Sequence, residues 1–265
     1  MRFKVVSLLA AAISFGAAQA AMAADMPVKA VRATPIIVPS WTGFYVGIQG
    51  GGAFGTTGAS ETGLPNPSVL ASGDYGLDHR LSGWLAGGLI GYNYQMGQWV
   101  LGVEADFAGA NINGSATTTG ANVAQRNGGA AAATNFVTAG EKITSFGTVR
   151  ARAGLLATPQ WLVYATGGLA FGHVNYNGQF HYATPVDYIA SDSANRLGWT
   201  LGAGVEYQVA AFWTVRAEYL YYDLGSHTLT TNNGVPSIPP FQSQFDYRTR
   251  GSIVRAALTY KLGGL

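Results

Sequence analysis

The chain has 265 residues, of which 11% are charged and 12% aromatic, with 37 glycines, no cysteine and a formal net charge of +2. An average soluble protein carries roughly 25% charged residues, so a water-facing surface is hard to clothe with so few. The cations are scattered rather than blocked, which removes nucleic acid as an expected partner, and the lack of cysteine removes disulfides, thiolate metal sites and cysteine nucleophiles.

Residues 1–23 open with Arg2 and Lys4, run through apolar residues 5–18 and end on the small-residue stretch Ala21-Met22-Ala23, the pattern of a secretory signal peptide. Its apolar run is too short to span a bilayer core of about 30 Å comfortably. Cleavage is expected after Ala23, with Ala20 as the alternative. Residues 24–40, punctuated by Pro27, Pro35 and Pro39, read as a periplasmic N-terminal linker, and 41–265 as the folded domain. No later run is long and apolar enough for a membrane helix, so an exported chain this apolar needs another way to bury its surface.

From residue 41 onward apolar and polar residues alternate with period two, the signature of strands. Phe44, Val46 and Ile48 oppose Tyr45, Gly47 and Gln49 in the first segment. Segments 84–94 and 161–171 are apolar and glycine-rich, strands whose facing the pattern leaves open. In 98–108, Trp99, Leu101, Val103, Ala105 and Phe107 share one face, with Gly102, Glu104 and Asp106 on the other. In 148–156, Val149, Ala151, Ala153 and Leu155 oppose Thr148, Arg150, Arg152 and Gly154. Trp199, Leu201, Ala203, Val205 and Tyr207 oppose residues that include Glu206, and Trp213, Val215, Ala217 and Tyr219 oppose Thr214, Arg216 and Glu218. The last segment sets Val254, Ala256, Leu258, Tyr260 and Leu262 against Arg255, Thr259 and Lys261. Eight strands, an even number, are expected to close into an all-β, antiparallel, up-and-down transmembrane barrel.

The connections fall into two classes. Short turns are expected near 96–97, 157–160 and 209–212, and long polar loops at 55–79, 111–141, 175–195 and 225–245. That asymmetry is the one outer-membrane barrels show. Period two alone does not say which face is outside, but three features point to lipid. Trp41, Trp84, Trp99, Trp161, Trp199 and Trp213 all fall near strand ends, as an interfacial aromatic girdle requires. Glycine shares the charged face, which suits a crowded lumen. The scarcity of charge does the rest.

The inward face is then expected to hold Glu104, Asp106, Glu206 and Glu218 with Arg150, Arg152, Arg216, Arg255 and Lys261. Buried charges persist when paired and hydrogen-bonded, so these are expected to form an ion-pair network. Glu206 and Arg216 are equidistant from position 211 and should meet across a short turn. The alternative use of a polar lumen is conduction, although eight strands leave an interior just wide enough for side chains. The histidines His79, His173, His181 and His227 lie in or beside the expected loops without the spacing of a metal cage. No nucleophile with a base, or pair of free carboxylates, suggests an enzyme. No cofactor is expected.

Trp41-Thr42-Gly43-Phe44-Tyr45, Gly91-Tyr92-Asn93-Tyr94-Gln95, Gly102-Val103-Glu104-Ala105-Asp106, Gly147-Thr148-Val149-Arg150-Ala151-Arg152 and Glu218-Tyr219-Leu220-Tyr221-Tyr222 occur in that order. Together they resemble the alphaproteobacterial outer-membrane immunogenic proteins, small barrels similar in architecture to the membrane domain of outer-membrane protein A. The resemblance implies a surface antigen and envelope component; some members are called porins and some relatives hemin-binding. The chain departs from the common barrel pattern at its end, Gly263-Gly264-Leu265, where a terminal aromatic is usual. The expected surroundings are the outer membrane of a Gram-negative bacterium, with its lipid and lipopolysaccharide, the barrel-assembly machinery during insertion, and host or phage molecules at the loops.

Overall fold

A computed structural model describes residues 40–63, 74–119, 136–182, 186–232 and 242–263. The signal-peptide assignment and all of the linker but Ser40 lie outside them. Among the described residues nine strands follow one another: β1 (Gly43–Gly63), β2 (Asp74–Gly76), β3 (His79–Met96), β4 (Trp99–Thr119), β5 (Phe136–Thr158), β6 (Trp161–Tyr182), β7 (Val186–Gln208), β8 (Trp213–Asn232) and β9 (Gln242–Leu262). Leaving β2 aside, the other eight pair each with the next along the chain, all antiparallel, and β9 pairs back to β1 to close the ring. The three-residue β2 adds to the outer end of β1, Ser60 opposite Gly76, an element the sequence pattern does not announce.

Tight turns join β3 to β4, β5 to β6 and β7 to β8, at the three places expected. In the first, Gly97 has φ +61°, a conformation that a side chain disfavours and that matches the twist of a two-residue hairpin. The opposite end departs from expectation. Within the stretches 55–79, 111–141, 175–195 and 225–245, read as loops, nearly all of the described residues are strand, and the eight ring strands run 18 to 23 residues. A tilted strand crosses a bilayer in about 9–11 residues, so the wall continues well beyond the membrane.

The alternation persists there with its meaning reversed. Within the belt, Ile48, Ile90, Val103, Phe107, Val149, Val163, Leu169, Leu201 and Val254 face outward and are exposed, and the charges face inward. Above it, Leu77, Leu81, Ile112, Val137, Ile143, Val174, Tyr176, Leu224, Phe245 and Tyr247 face inward and are buried, while Arg80, Asn113, Ser115, Thr117 and Lys142 face out. Each section thus presents to its surroundings the surface that lipid or water favours. The facing left open by sequence is also fixed: Trp84, Ala86, Gly88 and Ile90 point outward on β3, and Trp161, Val163, Ala165 and Leu169 on β6.

Two of the register irregularities align the sections. The pairing of β5 with β6 shifts between Ile143 and Ser145, so the inward set changes from Phe146, Thr148 and Arg150 to Ile143, Glu141 and Ala139. On β8 the pairing with β9 shifts between Asp223 and Ser226, around Gly225 at φ +75°.

Candidate functional site in the barrel lumen

Four carboxylates and four guanidinium groups meet inside the membrane section, delivered by the inward faces of β4, β5, β7, β8 and β9. Arg150 lies at the centre: its Nη2 reaches Glu104 Oε1 at 2.6 Å and Asp106 Oδ2 at 3.2 Å, and its Nη1 reaches Glu218 Oε1 at 2.9 Å. Arg255 Nη2 bridges Glu218 at 2.6 Å and Asp106 at 3.1 Å. Arg152 pairs with Glu206 at 2.5 Å and lies 3.5 Å from Glu104. Arg216 Nη1 lies 2.7 Å from Glu104 Oε2, and its Nε 2.7 Å from Glu206 Oε1. Glu206 and Arg216 are direct cross-strand partners, as their symmetry about position 211 requires. That Nε approach lies off the N–H direction, so it is a Coulombic contact more than a hydrogen bond.

Three neutral groups complete the set. Tyr45 Oη donates to Glu104 Oε2 at 2.7 Å, Tyr164 Oη to Glu218 Oε1 at 2.8 Å, and Thr148 Oγ1 to Asp106 Oδ2 at 2.5 Å. The Arg152 guanidinium also lies 4.1 Å from the centre of the Tyr164 ring. Tyr45 sits on the expected inward face of β1, so the alternation held the signal; Tyr164 was hidden by the open facing of β6. Space for both rings comes from glycine, because a Cβ at Gly91 would strike the Tyr45 ring and one at Gly204 the Tyr164 hydroxyl.

Lys261 stands apart from this network. Its Nζ donates to the Ser40 carbonyl at 2.6 Å, and it makes no ion pair among the described residues. Its place near the end of β9 explains this, since it sits at the mouth of the lumen, beyond the level of the carboxylates. Trp41 is the second correction. It is buried inside the periplasmic mouth against Val100, Leu162 and Tyr164, with its indole N–H donating to the Pro159 carbonyl at 3.1 Å. Trp99, Trp161 and Trp213 are exposed on the outer wall near the short turns, and Trp84 and Trp199 near the other edge of the apolar belt.

The lumen is layered. Beside Trp41, a cavity of about 20 Å³ lies among Tyr45, Asn93, Glu206, Gln208, Thr214 and Thr259, room for about one water. The ion-pair layer follows. Above it, Leu81, Leu85, Phe146, Leu220, Tyr222 and Ile253 fill the interior as an apolar core. Higher still, above the hydrocarbon belt, Glu141 is buried and accepts hydrogen bonds from Thr57 at 2.7 Å and Thr249 at 2.9 Å. Burial raises its pKa above the ordinary carboxylate value, against the lowering influence of those hydroxyls and of His79. Sequence reasoning misses this group because 111–141 reads as a loop, and the shift in β5 would in any case reverse the facing inferred from Arg150.

A model of the outer membrane protein beta-barrel domain matches residues 7–248. The chain belongs to that family. Within it, the chain is 36% identical over 263 residues to the 31 kDa outer-membrane immunogenic protein of Brucella melitensis, covering 96% of this chain and 99% of that one. It is 30% identical over 197 residues to the 22 kDa outer membrane protein of Rhizobium leguminosarum bv. viciae, covering 74% and 70%. The outer membrane protein OprG of Pseudomonas aeruginosa superposes with a TM-score of 0.49 at 13% identity, covering 86% of this chain and all of that one, a likeness too loose to bear on function. This family barrel is an outer-membrane protein of a Gram-negative bacterium, and the Brucella relative is named an outer-membrane immunogenic protein. Among the described residues no group of three or more His, Asp or Glu is arranged to hold a metal. His173 bonds Asn195, and His227 pairs with Asp192 and stacks on Tyr176.

Proposed function

We propose that the chain is a closed structural barrel that strengthens the outer membrane and displays an elevated wall as a surface antigen, without catalysing a reaction or conducting solutes. The observation that carries this reading is the lumen: every inward carboxylate of the membrane section is neutralised by arginine, and the layers above and below are packed. Glu104 and Asp106, the pair with the spacing of acid/base chemistry, are each held by at least two arginines and are not available for proton transfer. The aromatic residues Trp84, Trp99, Trp161, Trp199 and Trp213 act as the interfacial girdle in this reading. The strands that rise beyond the bilayer are the surface that antibodies, phage or host molecules meet, and the barrel-assembly machinery inserts the chain. Planar-bilayer recording of purified protein tests the central point: silence is expected, and reproducible single-channel steps of uniform size would replace this reading with that of a small-solute channel.

A further inference from the structure

The outward face of the wall changes unevenly just above the aromatic level. On β1 the outward residues climb from Gly52, opposite Trp84, through Phe54, opposite Ser82 and Ser252, to Thr56, opposite Arg80. Arg250 lies one outward step above Ser252 on β9, so it flanks Thr56 on the side away from Arg80; all three are exposed. The two arginines therefore leave the wall at one height, their backbones separated by two strand spacings or roughly 10 Å. Side chains of this length can both reach a group placed over Thr56. Neither arginine makes an ion pair among the described residues; Asp223, opposite Arg250 on β8, is drawn instead to Arg248, the next outward cation on β9, at 3.0 Å. The opposite wall, just above Trp199, presents His173 and Asn195 bonded to each other. Lower on the same strand as Arg80, the outer wall carries a shallow apolar groove of about 450 Å³, floored by Gly88 and Ala105 and walled by Ile90, Phe107 and Phe171.

We propose that Arg80 and Arg250 clamp a phosphate group of an outer-leaflet glycolipid, one acyl chain of which lies in the groove over Gly88. This rests on the outer-membrane placement of the belt, which sets Trp84 and Phe54 at the hydrocarbon edge and the arginines at head-group height. Guanidinium groups suit the task because each offers paired N–H donors to phosphate oxygens and stays charged at any physiological pH. Free phosphate gains only the clamp; a phosphorylated glycolipid gains the clamp and the groove together.

The test titrates bisphosphorylated lipid A, and separately its dephosphorylated form, into full-length protein in non-ionic detergent, with binding read by intrinsic tryptophan fluorescence and native mass spectrometry. Expected is at least tenfold tighter binding of the phosphorylated form, reduced to less than threefold in Arg80→Gln/Arg250→Gln. Inorganic phosphate at the same concentration is expected not to compete. Equal binding of the two lipids, retained selectivity in the double variant, or effective competition by inorganic phosphate would each overturn the proposal. Heat-modifiable gel mobility of every sample reports the folded barrel independently, and channel recordings bear on the closed lumen without touching this result. A shift in lipid selectivity with both of those unchanged therefore belongs to the clamp alone.

Discussion

Arg216 serves two carboxylates, and its loss shows how a buried network holds together. Arg216→Met removes the partner that Glu206 meets across the β7–β8 turn and one of the three arginines around Glu104. Breaking a buried pair on one side costs about 3–5 kcal/mol, because the remaining charge stays out of water. The double change Glu206→Gln/Arg216→Met is expected to cost less than the sum of its singles by at least about 1 kcal/mol in urea unfolding in detergent; strict additivity would show that the two act through other partners. Arg152 moderates the effect, since it also holds Glu206. Glu141 behaves in the opposite sense. Its folded-state pKa is raised, so the folded protein binds its proton more tightly than the unfolded chain does, and stability should fall as pH rises from the ordinary carboxylate value through the raised one. The groups facing it are His79 on β3, Thr57 on β1, Thr249, Tyr247 on β9, Tyr176 on β6 and Tyr222 on β8. Glu141→Gln should flatten that part of the pH profile. A profile that overlays the parent across this window would remove Glu141 as its source.

At the scale of a strand, the same outward parity means lipid in one half and water in the other. Val103 faces outward within the belt and Asn113 faces outward above it on β4. Val103→Arg is expected to cost about 2–4 kcal/mol near the bilayer midplane, whereas Asn113→Arg should stay within about 0.5 kcal/mol, as exposed surface changes do. Reversible unfolding from lipid vesicles measures both, and comparable losses at the two sites would place the membrane boundary elsewhere. This inversion also decides what was legible in the sequence. The belt segments alternate large apolar residues with charge, so their strands, facing and short turns could be read directly, and so could eight of the nine lumen residues named from that pattern. The upper segments alternate small or apolar residues with Thr, Ser and Asn, a contrast too weak to separate from loop composition. Trp41 and Lys261 show a different limit. Both lie at strand termini, where alternation ends and the local partner, here Pro159 or Ser40, sets the direction of the side chain.

For the whole molecule, the proposed closure is arranged in series. Solutes would have to pass Trp41, the arginine and carboxylate layer, and the apolar core of the raised wall, so the passage is no wider than its tightest layer. Trp41→Ala removes the lowest layer alone. It should cost stability, about 3–5 kcal/mol for a buried tryptophan, and enlarge the small cavity beside Tyr45 and Gln208. It should still conduct nothing, because Arg150 and Arg255 continue to bind Glu218 and Asp106 above it. Steps appearing in Trp41→Ala recordings, with the parent silent, would mean that this one side chain is the gate and that the upper layers leak. Opening from the top is expected to fail for another reason: Phe146→Ala cuts into the core that joins the raised wall, so the barrel should lose heat resistance before it gains a pore. A lumen in which every layer also supports the wall is expected to become unstable sooner than it becomes open, and bilayer recordings of both variants beside their thermal midpoints measure that order.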